Sequence, residues 1–125
     1  MTNKIKILIA DDNEVVREGL KAVFERPDFA LVGEADTPDD TVEKTLVIQP
    51  DVVIMDIRFP QGSGIEACRE IVQKMPCCKV IMLTSYADDE AVFASIMAGA
   101  SGFVLKQIDS LGLVDAVRSV FKGRA

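Results

Sequence analysis

Five polar or charged side chains each stand directly after a short apolar run of the 125-residue chain. They are Asp11 and Asp12, Asp56, Thr84, and Lys106. A carboxylate nucleophile, a cation and a hydroxyl donor are the groups that phosphoryl transfer to a protein side chain requires. In this scheme Asp56 is the nucleophile, Lys106 supplies a positive charge, and the Thr84 hydroxyl donates to a phosphoryl oxygen. The residue types therefore predict a phosphoryl acceptor.

Three carboxylates that share one crevice need a compensating charge. Two unit charges about 4 Å apart repel by ~4 kcal/mol at an effective dielectric constant of about 20. Lys106 offsets part of this repulsion, and a divalent cation held by Asp11 and Asp12 would offset more. Oxygen ligands without histidine or cysteine nearby select Mg²⁺, with Mn²⁺ as the alternative, over zinc or copper.

Apolar β-rich runs alternate with segments of helical periodicity along the whole chain. The predicted strands are residues 5–10, 30–34, 52–55, 80–83 and 102–105. Two of them, residues 52–55 and 80–83, are unbroken Val, Ile, Leu and Met, as expected for parallel strands covered on both faces. The predicted helical stripes are Val16, Leu20, Val23 and Phe24; Val42, Leu46 and Val47; Ile65, Cys68, Ile71, Val72 and Met75; Ala91, Val92, Ser95 and Ile96; and Leu113, Val114, Val117, Val120 and Phe121.

Capping and stop residues bound these helices. Thr37 is the predicted N-cap of the second helix, before Pro38 and Asp40. Pro76 stops the third helix, and Gly99 and Gly123 close the fourth and the fifth.

The alternation predicts a (βα)₅ fold, a doubly wound α/β protein with a five-stranded parallel sheet and the flavodoxin-like strand order 2-1-3-4-5. In such sheets ligands bind beyond the carboxyl ends of the strands. Taken singly, Asp12 or Asn13 could be a helix N-cap, and Lys106 a solvated tip. Their placement at successive strand ends favours one shared site, whereas Glu34 marks the second strand as an edge strand outside it.

Composition narrows the function classes. A length of 125 residues predicts one domain, residues 1–125. The formal charge of −6 argues against direct binding of nucleic acid by this segment, and the lack of histidine excludes imidazole chemistry within it. No apolar run is long enough to span a bilayer. Cys68, Cys77 and Cys78 form no disulfide framework, so we expect free thiols and a cytoplasmic location.

The chain resembles the receiver domain of two-component response regulators over essentially its whole length. The matching pieces are the pair Asp11-Asp12, Asp56 followed by Pro60 and Gly64, Thr84, and Lys106 after Gly102-Phe103-Val104-Leu105. The resemblance implies that Asp56 accepts a phosphoryl group from a phosphohistidine of a partner, either a sensor histidine kinase or a phosphotransfer protein. It also implies Mg²⁺ held by Asp11, Asp12, Asp56 and the backbone carbonyl of Arg58.

The resemblance further implies a switch. Thr84 would move toward the phosphoryl group and Phe103 would turn inward, which reshapes the face formed by the fourth helix, the fifth strand and the fifth helix. The local sequence resembles that of the response-regulator subfamily that carries a C-terminal helix-turn-helix. The resemblance lies in the stretches from Leu83 to Tyr86 and from Gly99 to Gly102. Control of transcription and homodimer formation on activation are the outputs that this implies.

Three departures from the family pattern affect details. Gln107 replaces a common proline, so no cis peptide is expected there. Phe103 replaces the commoner tyrosine and has no hydroxyl to hydrogen-bond. The chain stops at Ala125, so we expect either a stand-alone receiver or one whose output domain lies outside this stretch. The pocket is flanked by side chains that are expected to tune the phosphoryl lifetime: Arg58, Gln61, Ser85 and Tyr86.

Two alternatives remain open at this point. One is a small Mg²⁺ phosphatase that works through an aspartyl phosphate, against which the chain shows no insertion long enough to enclose a substrate. The other is a receiver-like module that binds proteins without phosphorylation. The favoured interpretation is that the domain catalyses only its own phosphorylation and dephosphorylation and is not an enzyme for other substrates.

Overall fold

Strands and helices alternate in the computed structural model, which describes residues 4–85 and 88–123. The strands are β1 (Ile5–Ala10), β2 (Phe29–Ala35), β3 (Val52–Met55), β4 (Arg58–Phe59), β5 (Gly62–Ser63), β6 (Lys79–Thr84) and β7 (Gly102–Leu105). The helices are α1 (Glu14–Val23), α2 (Pro38–Ile48), α3 (Gly64–Lys74), α4 (Asp89–Met97) and α5 (Ser110–Phe121). All five predicted strands are present, and their ends differ from prediction by one residue at most.

The main sheet has five parallel strands in the order β2-β1-β3-β6-β7. This is the predicted order 2-1-3-4-5, because β6 and β7 are the fourth and fifth strands of the sheet. The short antiparallel hairpin β4–β5 was not predicted. It lies between Asp56 and α3, so it shapes the loop beside the predicted nucleophile.

The helices cover both faces of the sheet, as predicted. One core lies between the sheet and α1 and α5, around Leu20, Val114 and Val117. The other lies between the sheet and α2, α3 and α4, and includes Ile71 and Met82. β3 is buried along its whole length, in keeping with its unbroken apolar sequence. Within the described part of the chain, no helix is long and apolar enough to cross a membrane.

The helix ends largely follow the capping signals. The Thr37 hydroxyl accepts a hydrogen bond from the Asp40 amide, and Pro38 occupies the first turn of α2. Asn13, not Asp12, caps α1 by accepting from the amides of Val15 and Val16. Gly99 follows α4 with a φ of 95°, a left-handed conformation that favours glycine. The capping role of Asn13 leaves the Asp12 carboxylate available for the site.

Three of the residues assigned to the helical stripes are exposed rather than buried, including Phe121 at the end of α5. The side chains of Val47 and Ile96 are 80% and 61% exposed. In α2 the buried residues are Thr41, Val42 and Thr45, and Val47 lies five positions from Val42, which is not a helical repeat. α4 turns small side chains such as Ser95 toward the core and leaves its larger apolar ones outside. Apolar type alone misled the assignment where polar or small residues form the packing face.

Candidate functional site

The pairing of β1 with β3 brings the acidic residues together. Ala10 is in register with Met55, so Asp11 and Asp56 follow neighbouring strands at the same edge of the sheet. The Asp56 amide donates to the Ala10 carbonyl at 3.0 Å, which continues the ladder past the strand ends. Ligand oxygens of Asp11, Asp12 and Asp56 all lie within 4.8 Å of one another. The structure thus brings together the three carboxylates predicted to share one crevice.

Asp11 and Asp56 are buried and held by backbone donors, whereas Asp12 faces solvent. Asp11 is 2% exposed, and its Oδ1 accepts from the Asn13 amide at 2.9 Å. Asp56 is 9% exposed, and its Oδ1 accepts from the Ile57 amide at 2.8 Å. Each buried carboxylate therefore keeps its second oxygen, Oδ2, for the centre of the site.

Lys106 places its ammonium between these two second oxygens. Its Nζ donates to Oδ2 of Asp11 at 2.9 Å and to Oδ2 of Asp56 at 3.0 Å. Burial alone would lower the pKa of Lys106, but the hydrogen bonds with the two carboxylates outweigh it and raise that pKa above its ordinary value. The lysine is therefore positively charged at neutral pH, as the predicted role requires.

Thr84 and Phe103 lie on the same face of the sheet. Met82 is in register with Phe103, and the alternation along a strand turns Thr84 to the same side as Met82. Thr84 is buried, and Phe103 packs at the border of the core under α3 and α4. The Thr84 carbonyl also accepts from the Lys106 amide at 2.8 Å. The two predicted switch residues are thus diagonal neighbours on adjacent strands, beside the predicted cation.

Gly64 allows the chain to return close to the nucleophile. Its amide donates to the Ile57 carbonyl at 2.7 Å. A Cβ atom on residue 64 would collide with the backbone carbonyl oxygen of Asp56 and lie 3.2 Å from the Cα of Ile57. In the sequence this glycine stands out only as a piece of the family motif, and the tertiary contact shows why a side chain does not fit there.

Three of the four residues expected to flank the pocket, Arg58, Gln61 and Ser85, lie in the described part of the chain. Arg58 begins the hairpin and is exposed, as are Gln61 and Ser85. The Ser85 carbonyl accepts from the Gln107 side chain at 3.4 Å, and the described residues contain no cis peptide bond. Tyr86 lies outside the described residues. The ligand role of the Arg58 carbonyl and the tuning roles of these side chains stay predictions.

The donor set fits a hard divalent cation. Three carboxylates and one ammonium leave two negative charges in excess around a cluster less than 5 Å across. Oxygen atoms are the ligands that Mg²⁺ prefers, and two of these residues are already fixed by backbone hydrogen bonds. The exposed Asp12 leaves one side of the cluster open to solvent, from which a cation and a phosphoryl group can enter.

One further residue of the site region, Arg17, was not identified from the sequence. Arg17 donates from Nη1 to the backbone carbonyl of Asp11 at 2.6 Å and from Nε to the Glu34 carboxylate at 3.1 Å. Glu34 lies outside the acidic cluster, as predicted for the edge strand. No local pattern links Arg17 to the site, because its partners come from the end of β1 and from β2.

Comparison with known proteins gives a consistent picture. The family profile described as the response regulator receiver domain matches residues 7–118. The DNA-binding transcriptional activator DevR/DosR of Mycobacterium tuberculosis is 41% identical over 122 residues, which cover 97% of this chain and 56% of that protein. The transcriptional regulatory protein DegU of Brevibacillus brevis is 38% identical over 124 residues, which cover 98% of this chain and 52% of that protein.

A solved structure agrees with these relatives. The two-component response regulator of the LuxR family from Aurantimonas superposes with a TM-score of 0.91 at 32% identity, over 98% of this chain and 88% of that one. The chain spans about half the length of the curated relatives it matches. The resemblance seen in the motifs and the doubly wound fold are both confirmed.

Proposed function

Because the chain belongs to the response regulator receiver domain family, we propose that it is a phosphorylatable switch of a two-component system whose acceptor is Asp56. The donor is a phosphohistidine of a partner, either a sensor histidine kinase or a phosphotransfer protein. The observation that carries this proposal is the Lys106 ammonium held between Oδ2 of Asp11 and Oδ2 of Asp56, with Asp12 in the same cluster.

Asp56 has one carboxyl oxygen engaged with the backbone and one turned into the cluster. Ile57 holds Oδ1, so Oδ2 is the attacking oxygen. It forms a bond to phosphorus as the phosphorus–nitrogen bond of the donor breaks, and the electron pair of that bond leaves with the partner's imidazole. The Lys106 ammonium, already beside Oδ2, transfers its hydrogen bond to a phosphoryl oxygen. Hydrolysis of the resulting acyl phosphate by water returns the carboxylate and inorganic phosphate.

We assign metal binding to the carboxylates of Asp11, Asp12 and Asp56 and to the backbone carbonyl of Arg58. Mg²⁺ bound there supplies positive charge that offsets the charge of the phosphoryl oxygens during transfer. The protein's own contribution is to hold Asp11 and Asp56 in fixed orientations before the phosphoryl group arrives, which lowers the cost of reorganisation.

Thr84 and Phe103 carry the signal from the site in this proposal. The Thr84 hydroxyl donates to a phosphoryl oxygen on Asp56, and Phe103, its diagonal neighbour on β7, turns into the space that Thr84 leaves. The readout face consists of α4, β7 and α5. α4 already exposes large apolar side chains on this face, namely Phe93, Ile96 and Met97. A shift of α4 would change how these side chains are presented to a partner.

The output we propose is control of transcription, on the basis of what the relatives' names state. The segment itself carries a formal charge of −6, so contact with DNA would fall to a separate helix-turn-helix domain. We propose homodimer formation on activation, and a cytoplasmic location that the three free thiols support. In this proposal the domain catalyses only its own phosphorylation and dephosphorylation and is not an enzyme for other substrates.

Intact-mass spectrometry after incubation with phosphoramidate and Mg²⁺ tests the proposal. The wild-type chain should gain a single phosphoryl group, and Asp56→Asn should gain none. Asp115→Asn, which removes an exposed carboxylate of α5, is the control and should be labelled like the wild type. An unmodified wild-type mass, under conditions that label another receiver domain, would contradict the proposal and favour a binding module. Multiple turnover of a phosphate ester would instead favour a phosphatase.

A further inference from the structure

Arg17 joins the edge strand to the backbone of the acidic site. Its side chain is only 16% exposed, and its guanidinium donates from Nη1 to the Asp11 carbonyl and from Nε to the Glu34 carboxylate. A guanidinium presents its donors in a rigid planar fork, so two acceptors in different elements fix both its position and its plane. The shorter of the two contacts, at 2.6 Å, is the one to the backbone of Asp11.

Glu34 is itself held by several groups, so it can serve as a fixed anchor. Lys21 of α1 donates to Oε2 of Glu34 at 3.0 Å, and Lys44 of α2 donates to the Glu34 backbone carbonyl at 2.6 Å. Lys44 also pairs with Asp40 at 2.9 Å. The hydrogen bond from Lys21, opposed by burial and assisted by the bond from Arg17, lowers the pKa of Glu34. The anchor is therefore ionised at neutral pH and connects β2, α1 and α2.

The carbonyl that Arg17 binds belongs to the peptide between Asp11 and Asp12. That peptide is planar, so fixing the carbonyl of Asp11 also fixes the amide of Asp12 and the direction in which its Cα leaves. The contacts of the Asp11 side chain, with Asn13 and Lys106, set the first carboxylate but not the second. Asp12 is exposed, and the peptide before it fixes where its Cα lies.

We propose that Arg17, anchored by Glu34, is a positioning residue that holds the Asp11–Asp12 peptide so that the Asp12 carboxylate faces the cation site. The proposal rests on the proposed function of the acidic cluster. Residues that orient metal ligands from outside the ligand set typically contribute about 10–100-fold to metal affinity. It also gives a role to Glu34, which lies outside the acidic cluster of Asp11, Asp12 and Asp56.

The sign of the effect separates positioning from simple electrostatics. Arg17 carries a positive charge near the site, so if charge alone mattered, Arg17→Ala would tighten Mg²⁺ binding. If Arg17 positions the peptide, the same substitution should raise the dissociation constant of Mg²⁺ by about tenfold. Arg17→Lys keeps the charge but reaches only one acceptor, so its affinity should lie between those of Arg17→Ala and the wild type.

Calorimetric titration of the chain with Mg²⁺ measures these affinities. Arg118→Ala is the matched control, because Arg118 forms a similar pair with Asp28, Nε to Oδ2 at 2.8 Å, and its partners among the described residues, Asp28, Asp115 and Phe29, lie outside the site. It should bind Mg²⁺ like the wild type. The proposal would be overturned if Arg17→Ala bound Mg²⁺ as tightly as the wild type or more tightly. It would also be overturned if Arg17→Ala lost no more Mg²⁺ affinity than Arg118→Ala.

A metal-free measurement tests the same idea independently. A hydrogen bond accepted by the Asp11 carbonyl affects the amide nitrogen of Asp12, so the Asp12 resonance should shift in Arg17→Ala without Mg²⁺ and stay in place in Arg118→Ala. An Asp12 resonance that does not move in Arg17→Ala would overturn the inference about Arg17, whether or not the wild type binds Mg²⁺. A wild type that binds no Mg²⁺ would count against the proposed function instead. If Arg17→Ala fails to fold, Glu34→Gln replaces it. Wild-type Mg²⁺ affinity in Glu34→Gln would refute the anchoring role.

Discussion

The Nζ of Lys106 lies 3.0 Å from Oδ2 of Asp56, although fifty positions separate the two residues in the chain. The contact exists because β3 and β7 end at the same edge of one parallel sheet. It places a cation, whose pKa is raised by its carboxylate partners in spite of burial, at the oxygen that would attack phosphorus. The positive charge is thus in place before a phosphoryl group arrives. It can then stabilise the negative charge that develops on the phosphoryl oxygens in the transition state of the transfer.

Replacing Lys106 by alanine should separate metal binding from phosphoryl chemistry. The ammonium is no metal ligand and its charge repels a cation, so Lys106→Ala should bind Mg²⁺ at least as tightly as the wild type, whereas the rate of phosphorylation by phosphoramidate should fall by about a hundredfold. Lys74→Ala, which removes an exposed lysine of α3, serves as the control and should keep both values. Parallel losses of Mg²⁺ affinity and rate in Lys106→Ala would show that its role is misassigned.

Thr84→Ala should uncouple phosphorylation from the conformational response. The nucleophile and the metal ligands remain, so Asp56 should still take up phosphate. Without the hydroxyl, the amide resonances of α4 and β7 should change much less on phosphorylation than in the wild type. Thr84→Ser keeps the hydroxyl and should restore the response. A wild-type pattern of shifts in Thr84→Ala would refute the switch role.

The same substitution at two glycines should change stability in opposite directions. Alanine at Gly64 would push a methyl group into the Asp56 carbonyl, so Gly64→Ala should lower the free energy of unfolding by about 1–3 kcal/mol. At Gly19, within α1, nothing lies within 4 Å of the added methyl group, and Gly19→Ala should raise the free energy of unfolding by about 0.5–1 kcal/mol. Urea unfolding measures both changes. Equal effects would mean that the close approach at Gly64 is absent in solution.

Only one of the three cysteines should react in the native protein. Burial raises the pKa of Cys68 to about 11 and that of Cys78 to about 12, whereas Cys77 is exposed. Because the thiolate is the reactive form, Ellman's reagent at pH 8 should titrate one thiol rapidly in the folded chain and three in denaturant. Cys77→Ser should abolish the rapid phase. A rapid phase that persists in this variant would show that a buried thiol is accessible.

The contribution of Glu34 to stability should depend on pH in a defined direction. The hydrogen bond from Lys21 holds the pKa of Glu34 below its ordinary value of 4.5 in spite of burial, so its stabilising effect is full above that pH. It is lost as the pH falls through the folded-state pKa. Glu34→Gln should therefore unfold more easily than the wild type at pH 7, by about 1 kcal/mol or less, and equally at pH 2.5. A difference between the two proteins that persists at pH 2.5 would contradict the ion-pair origin.

Local patterns in the sequence predicted most of the fold. Short, mainly apolar runs identified the strands, because a strand covered on both faces has no polar side. Thr37, followed by Pro38, marked the start of α2 because its hydroxyl caps the first turn. The patterns failed at Val47, Ile96 and Phe121, where apolar type was taken for burial. They also missed the hairpin β4–β5, whose strands of two residues each are too short to show a period.

The order of residue types along the chain was enough to predict that these acidic, hydroxyl and ammonium groups follow strands ending at one edge of the sheet, because parallel strands place their carboxyl ends together whatever lies between them. Which side chains orient those groups was decided only by the folded chain. Arg17 reaches the Asp11 carbonyl and the Glu34 carboxylate because α1 packs back beside β1 and β2, and Gly64 meets Asp56 because the hairpin turns α3 toward the sheet. Contacts of this kind depend on distances between distant segments, and spacing within one segment does not encode them.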